Sequence, residues 1–134
     1  MKNLYVISGA TGMTGNELSR QFVSQGDIVI GFDNFFASSI DIVKDIVDNP
    51  SFIFYNYDIN NAAQMDEVCE KANSLKAGCN GRLVFINCAA VVHTKHFYEV
   101  ESTFQTNVIA MKNFLERAIA IKADTYINCS TSEV

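Results

Sequence analysis

The chain has 134 residues, 49% of them apolar, and 15 acidic against 10 basic side chains give a formal charge of −5. That length suits one domain with a real core, and the acidic balance argues against a surface built for nucleic acid or an anionic membrane. No apolar run approaches the roughly 18 residues of a membrane span, and the N-terminus enters a strand pattern directly, so a cytoplasmic protein is the expectation.

Leu4 to Ser8 reads as an apolar strand that runs into a loop with glycines at positions 9, 12 and 15. A strand, a glycine turn and a helix in succession leave backbone N–H groups pointing outward at the positive end of the helix dipole, where a pyrophosphate fits. Gly9 is expected to permit the turn, Gly12 to let the backbone approach the phosphates, and Gly15 to let the helix pack on the strand. The spacing is Gly-x-x-Gly-x-x-Gly, so the loop alone is a moderate signal, and the alternative is an ordinary turn beside a solvated aspartate. A helix over about residues 13–24 follows, with Thr14, Leu18 and Phe22 on one face and a stop at Gln25-Gly26-Asp27. The second strand, Ile28 to Phe32, ends on Asp33. An acidic residue about 20 positions past such a loop is placed to accept hydrogen bonds from adenosine ribose hydroxyls. No Arg or Lys lies between Asp33 and Ile40 to hold a 2′-phosphate, so NAD is favoured over NADP.

A helix over about 39–47, with Ile40, Val43, Ile46 and Val47 inward and an end at Asn49-Pro50, precedes a third strand over 52–57. Met65, Val68, Cys69, Ala72 and Leu75 recur at helical spacing over 62–76. A fourth strand over 83–88, a long helix over about 100–121 with Phe104, Val108, Met111, Leu115, Ala118 and Ile119 on one side, and a fifth strand over 125–129 complete the pattern. Near-continuous apolar strands alternating with helices imply an α/β domain with a doubly wound parallel sheet, Rossmann-like, in the order 3-2-1-4-5. Ligand is then expected where strands one and four end, beside residues 9–15 and 87–90. Cys69, Cys79, Cys88 and Cys129 show no Cys-x-x-Cys spacing and read as buried, reduced thiols. His93 and His96, flanking Lys95, lack the carboxylates or thiols of a metal set, and no metal site is expected.

Six motifs in order give the chain a more specific likeness: residues 8–15, Asp33-Asn34-Phe35-Phe36, Asp58-Ile59, Asn87-Cys88-Ala89-Ala90, Asn107-Val108 with Asn113-Phe114-Leu115-Glu116, and Ser130-Thr131-Ser132-Glu133-Val134. Together they resemble the N-terminal part of an extended short-chain dehydrogenase/reductase, in the branch of NAD-dependent nucleotide-sugar epimerases, dehydratases and decarboxylases. The resemblance implies that Gly9, Thr11, Gly12, Met13, Thr14 and Gly15 hold the pyrophosphate half of NAD, with Asp33 and Asn34 at the ribose and Asp58 and Ile59 at the adenine. It places Ala89 and Ala90 beneath the nicotinamide and puts Asn107 in the cofactor-binding set. For Asp58 the alternative is a helix N-cap. Asn107 lies mid-helix, where a buried amide needs a partner, and a hydrogen bond to a neighbouring loop is its expected use.

The same resemblance makes Thr131 the hydroxyl that orients the sugar, Glu133 the acid/base of a second step and Ser132 their companion. It also implies a homodimer formed through the helix over 100–121, with or without the helix over 62–76. The departures are specific. No tyrosine here is followed four residues later by Lys, Ala110 and Met111 replace the usual Gly-Thr, and Val92 stands where epimerases often carry Lys. The catalytic Tyr-x-x-x-Lys pair, two further strands and the sugar-binding part of such enzymes are thus expected outside these 134 residues, with the sheet cut after strand five. A stand-alone or truncated dinucleotide-binding module without activity of its own is the alternative.

Overall fold

The computed structural model describes residues 2–91 and 98–130. Five parallel strands, β1 (Leu4–Ser8), β2 (Ile28–Phe32), β3 (Phe52–Tyr55), β4 (Leu83–Asn87) and β5 (Thr125–Asn128), lie in the order β3-β2-β1-β4-β5. Successive side chains of a strand point to opposite faces, and both faces here are apolar. Leu4, Val6, Ile30, Phe32, Leu83 and Phe85 form one half of the core. Ile7, Val29, Phe52, Val84 and Ile86 belong to the other. Two covered faces explain why the strands carry little polar alternation.

On the first face lie α2 (Ala62–Lys76), through Met65, Val68 and Ala72, and α4 (Met111–Ala120), through Phe114 and Ala118. Phe114 is central there, its ring 5.7 Å from Phe32, 5.0 Å from Phe85 and 6.1 Å from Tyr126. On the second face lies α1 (Met13–Ser24), whose buried residues are Gly15, Ser19 and Val23. Leu18 and Phe22 flank that seam, as the pattern suggests, but Thr14 is exposed. The seam is built on small residues because the helix presses close to the strand, and Ser19 returns its hydroxyl to the Gly15 carbonyl at 2.7 Å.

Three local expectations change. Residues 39–47 form a 3-10 turn at Ile40–Val43 followed by further turns. β-branched Ile40, Ile42, Val43, Ile46 and Val47 crowd an α-helix, and most of the bonds close over three residues, as from Ile46 N–H to the Val43 carbonyl at 2.9 Å, with Val47 N–H reaching the same carbonyl at 2.9 Å. Only Val43 and Ile46 are buried, and Ile40 faces solvent. The long helix over 100–121 is interrupted: α3 (Val100–Phe104) passes into a π-helical stretch, Gln105–Ala110, and then into α4. A π turn carries an extra residue, so a stripe counted at α spacing from Phe104 loses register. The buried seam is Ala110, Phe114 and Ala118, while Phe104, Val108 and Ile119 are exposed. The cysteines are free thiols, but none is fully buried, and Cys129 is exposed. Strand five carries Ile127 on the face away from α4, where 46% of that residue stays exposed.

Candidate functional site

All five strands point their C-terminal ends at one cleft of about 500 Å³. Its centre is the turn between β1 and α1. Gly9 has φ +67°, a conformation that side chains resist, and a Cβ there would fall 2.7 Å from the Cys88 carbonyl carbon and 2.8 Å from the Ala89 amide. A Cβ at Gly15 would fall 2.9 Å from the Gly9 carbonyl carbon and nearer still to its oxygen. The first glycine lets the loop rest on the end of β4, and the third lets α1 rest on the loop. No side chain caps the N-terminus of α1, where Gly12 is the extended N-cap residue and no acidic residue occupies the first turn. Among the described residues, such an end has the polarity that suits an external anion.

Asp33, at the end of β2, accepts from the Thr11 amide at 3.2 Å and from the Phe35 amide at 2.9 Å, one on each carboxylate oxygen. It ties its own loop to the glycine turn while lining the cleft. At the neighbouring strand ends, Asn34 donates to Asp58 at 3.3 Å and Asp58 accepts from the Asn60 amide at 2.8 Å. The cap of α2 is Asn61, which accepts from the Gln64 amide at 3.0 Å, so Asp58 is not the helix cap. Tyr57 also borders this end. Its hydroxyl donates to Glu67, and that hydrogen bond, with some desolvation, raises its pKa above the ordinary tyrosine value.

A buried polar row fixes the opposite wall. Ser8 donates to Asn87 at 2.5 Å and accepts from the Cys88 and Ala89 amides at 3.0 and 3.2 Å, and Asn87 donates to Asn128 at 2.8 Å. The ends of β1, β4 and β5 are thereby held together where the chain turns into Ala89, Ala90 and Val91. Asn107, in the π-helical stretch, accepts from the Val91 amide at 2.7 Å and donates to the Val91 carbonyl at 3.1 Å. The extra residue of the π turn also leaves Thr106 beside the cleft, where it accepts from Asn60 at 3.1 Å.

Gly9, Gly12, Met13, Thr14, Gly15, Asp33, Asn34, Asp58, Ile59, Ala89 and Ala90 all line the cleft. Two residues of the anticipated set do not. Thr11 is 1% exposed, its hydroxyl paired with Ser38 at 2.5 Å beneath the loop. Asn107 acts one step back, through Val91. Thr131, Ser132 and Glu133, and with them Val92, His93, Lys95 and His96, lie outside the described residues. Cys88 lies in the 87–90 stretch expected at the ligand and lines the cleft, whereas sequence reasoning missed Ser38, Asn60, Ser102, Thr106 and Cys129. The one available signal was Ser102 and Thr106, small hydroxyls four apart on a helix otherwise rich in exposed apolar residues.

A parallel sheet in this order, with its glycine turn at the switch point and an acidic residue ending the second strand, defines a Rossmann-type domain. The chain belongs to the NAD dependent epimerase/dehydratase family, whose model matches residues 5–134. NAD is the cofactor of that family, and the cleft has the chemistry of an anionic dinucleotide site: an uncapped helix N-terminus, a carboxylate at the end of β2 and small residues after β4. No curated protein matches the chain significantly. Among solved structures it is similar to a UDP-galactose 4-epimerase, at 26% identity and TM-score 0.70 over 98% of this chain and 39% of that one. It is similar to the dTDP-glucose 4,6-dehydratase of Bacillus anthracis, solved in complex with NAD, at 23% identity and TM-score 0.74 over 100% of this chain and 39% of that one. A UDP-glucose 4-epimerase of Thermotoga maritima, solved with UDP-glucose, aligns at 19% identity and TM-score 0.73, over 96% and 38% respectively. The chain thus spans about two fifths of the length of these proteins.

Proposed function

We propose that this chain is the NAD-binding portion of an enzyme that modifies a nucleotide sugar, of the 4,6-dehydratase, decarboxylase or 4-epimerase type. Bound NAD would supply a reversible hydride acceptor for oxidation of the sugar at C4. The residues described here bind and orient. The amides at the start of α1 would neutralise the pyrophosphate, Asp33 would accept from the adenosine ribose, and Asn34 and Asp58 would frame the adenine. Ala89 and Ala90 would leave room for the nicotinamide against the wall fixed by Ser8, Asn87 and Asn107. Family resemblance assigns Thr131 to orienting the sugar hydroxyl, Ser132 to the same segment and Glu133 to the proton transfers that follow oxidation.

The observation that carries this reading is the junction of an uncapped α1 with Asp33 across the same cleft. The exposed apolar positions Val100, Phe104, Val108 and Ile119 support a homodimer formed through the α3–α4 helix. The second reading, a non-catalytic dinucleotide-binding module, rests on the lack of any Tyr-x-x-x-Lys among the 134 residues. Calorimetry with NAD and NADP on the wild type and on Asp33→Ala tests the cofactor assignment. Saturable NAD binding, weaker NADP binding and loss in the variant are expected, whereas equal binding of both dinucleotides would refute it. Silence from these 134 residues alone fits both readings, because no Tyr-x-x-x-Lys is among them; reduced-cofactor fluorescence on adding UDP-glucose or dTDP-glucose to the NAD-loaded native protein separates the two. A signal favours the enzyme, and silence in a protein that binds NAD favours the module.

A further inference from the structure

Cys88 and Cys129 end the neighbouring strands β4 and β5, and their Sγ atoms stand 3.4 Å apart in the wall of the cleft. The sheet ladder reaches this level, because Cys129 N–H donates to the Asn87 carbonyl at 3.0 Å. One position earlier, the Asn87–Asn128 hydrogen bond of 2.8 Å fixes the lateral spacing of the two strands. Neighbouring strands lie about 4.8 Å apart, within the Cα separation of about 4.4–6.8 Å that a disulfide tolerates. Bond formation needs the sulfurs to approach to about 2.0 Å, a movement that side-chain rotation can supply.

The geometry points to a redox-modifiable dithiol in the wall of the dinucleotide cleft, closed to a disulfide by a peroxide and shielded when the dinucleotide is bound. The chemistry balances in two steps. Peroxide oxidises the exposed Cys129 thiol to a sulfenic acid and leaves as water. The Cys88 sulfur then attacks the Cys129 sulfur, the S–O bond breaks, the hydroxyl departs as a second water with the Cys88 proton, and the S–S bond forms. Two thiols and one peroxide become one disulfide and two waters, and an external dithiol restores the pair. Burial first, then the hydrogen bond with Cys129, pushes the Cys88 thiol up to about 12. Cys88 is therefore the poorer nucleophile of the pair, which leaves the first reaction with peroxide to the exposed Cys129 and makes loss of the Cys88 proton part of the closing step. Closure itself rests on the sulfur geometry, and only the shielding rests on the NAD assignment. That shielding follows from position, since both cysteines share the cleft wall with Ala89 and Ala90.

The test treats the folded chain with a small excess of hydrogen peroxide and counts thiols under denaturing conditions. The count should fall from the four free cysteines to two, with a mass loss of two hydrogens, a Cys88–Cys129 cross-linked peptide on digestion, and recovery in dithiothreitol. Cys88→Ser and Cys129→Ser should each abolish the cross-link. With NAD at ten times its calorimetric dissociation constant, closure should slow about tenfold by mass action. A count that stays at four, or a cross-link that involves Cys69 or Cys79, overturns the dithiol site. An unchanged closure rate in protein that binds NAD overturns the shielding. If calorimetry instead finds no NAD binding, the cofactor assignment fails, and the thiol count still decides whether the pair closes.

Discussion

Gly12 and Gly15 sit on one loop but should fail in different ways when changed to alanine. At Gly15 the new Cβ would lie 2.9 Å from the Gly9 carbonyl carbon, 3.0 Å from Ala10 Cα, and closer still to the Gly9 oxygen. All three are backbone atoms of the turn that rests on β4, so no side chain can swing away. Relief requires α1 to lift from the sheet by roughly 1 Å, and with only backbone atoms in the way the cost falls at the upper end of overpacking, about 2–3 kcal/mol. Alanine's better helix propensity returns about 0.5–1 kcal/mol. The net loss of about 1–2 kcal/mol corresponds to roughly 4–10 °C in Tm for a domain of this size. At Gly12 the nearest atom to a Cβ is the Gly9 oxygen at 3.3 Å, and as the N-cap residue it should lose under about 1 kcal/mol. Its cost should fall on NAD affinity instead, because the methyl occupies the approach to the phosphates. Circular-dichroism melts and NAD calorimetry on both variants measure the two effects. A Gly15→Ala protein that melts with the wild type, or a Gly12→Ala protein that is the less stable of the two, would refute this division of labour.

Asn107→Ala removes both hydrogen bonds to Val91 and should cost about 1–3 kcal/mol, read as a lower melting midpoint with weaker NAD binding. Asn107→Asp keeps the acceptor for the Val91 amide, loses the donor, and should fall between. At pH 8 iodoacetamide should leave Cys88 unmodified in the folded protein, because the thiol of that residue is pushed up to about 12; peptide mapping that finds it alkylated as fast as in urea contradicts this. The Asp45 carboxylate, hydrogen-bonded by Arg20 at 2.7 Å, is held below its ordinary value. Its stabilisation should be present above about pH 4, the unfolded carboxylate value, and disappear as pH falls through the lower folded value. A urea series across acid pH should show that dependence reduced in Asp45→Asn. The effect will be small, because the pair is exposed.

The strands were legible because burial on both faces demands uninterrupted apolar runs, and β1, β2 and β4 have them. Glycine spacing and Asp33 revealed the cleft for a related reason: few residues other than glycine tolerate φ +67° with Cys88 and Ala89 so close. Packing seams were harder to read. α1 buries Gly15 and Ser19, which no hydrophobic pattern marks. In the long helix, spacing at 3.6 residues selected Ala118 correctly but also Phe104, Val108 and Ile119, which are exposed, and it passed over Ala110 and Phe114, which the π turn brings to the core. Thr11 illustrates the limit of motif reading. It sits between glycines that line the cleft, but the turn that aims their backbone outward rotates its side chain inward onto Ser38.

Amide chemical-shift mapping of NAD on isotope-labelled protein tests the central claim most directly. The account predicts saturable shifts concentrated in residues 9–15, Asp33, Asn34, Asp58, Ile59, Ala89 and Ala90, with α2 and the β3 edge unmoved. Shifts scattered elsewhere, or a well-dispersed spectrum that does not change with NAD, would contradict it.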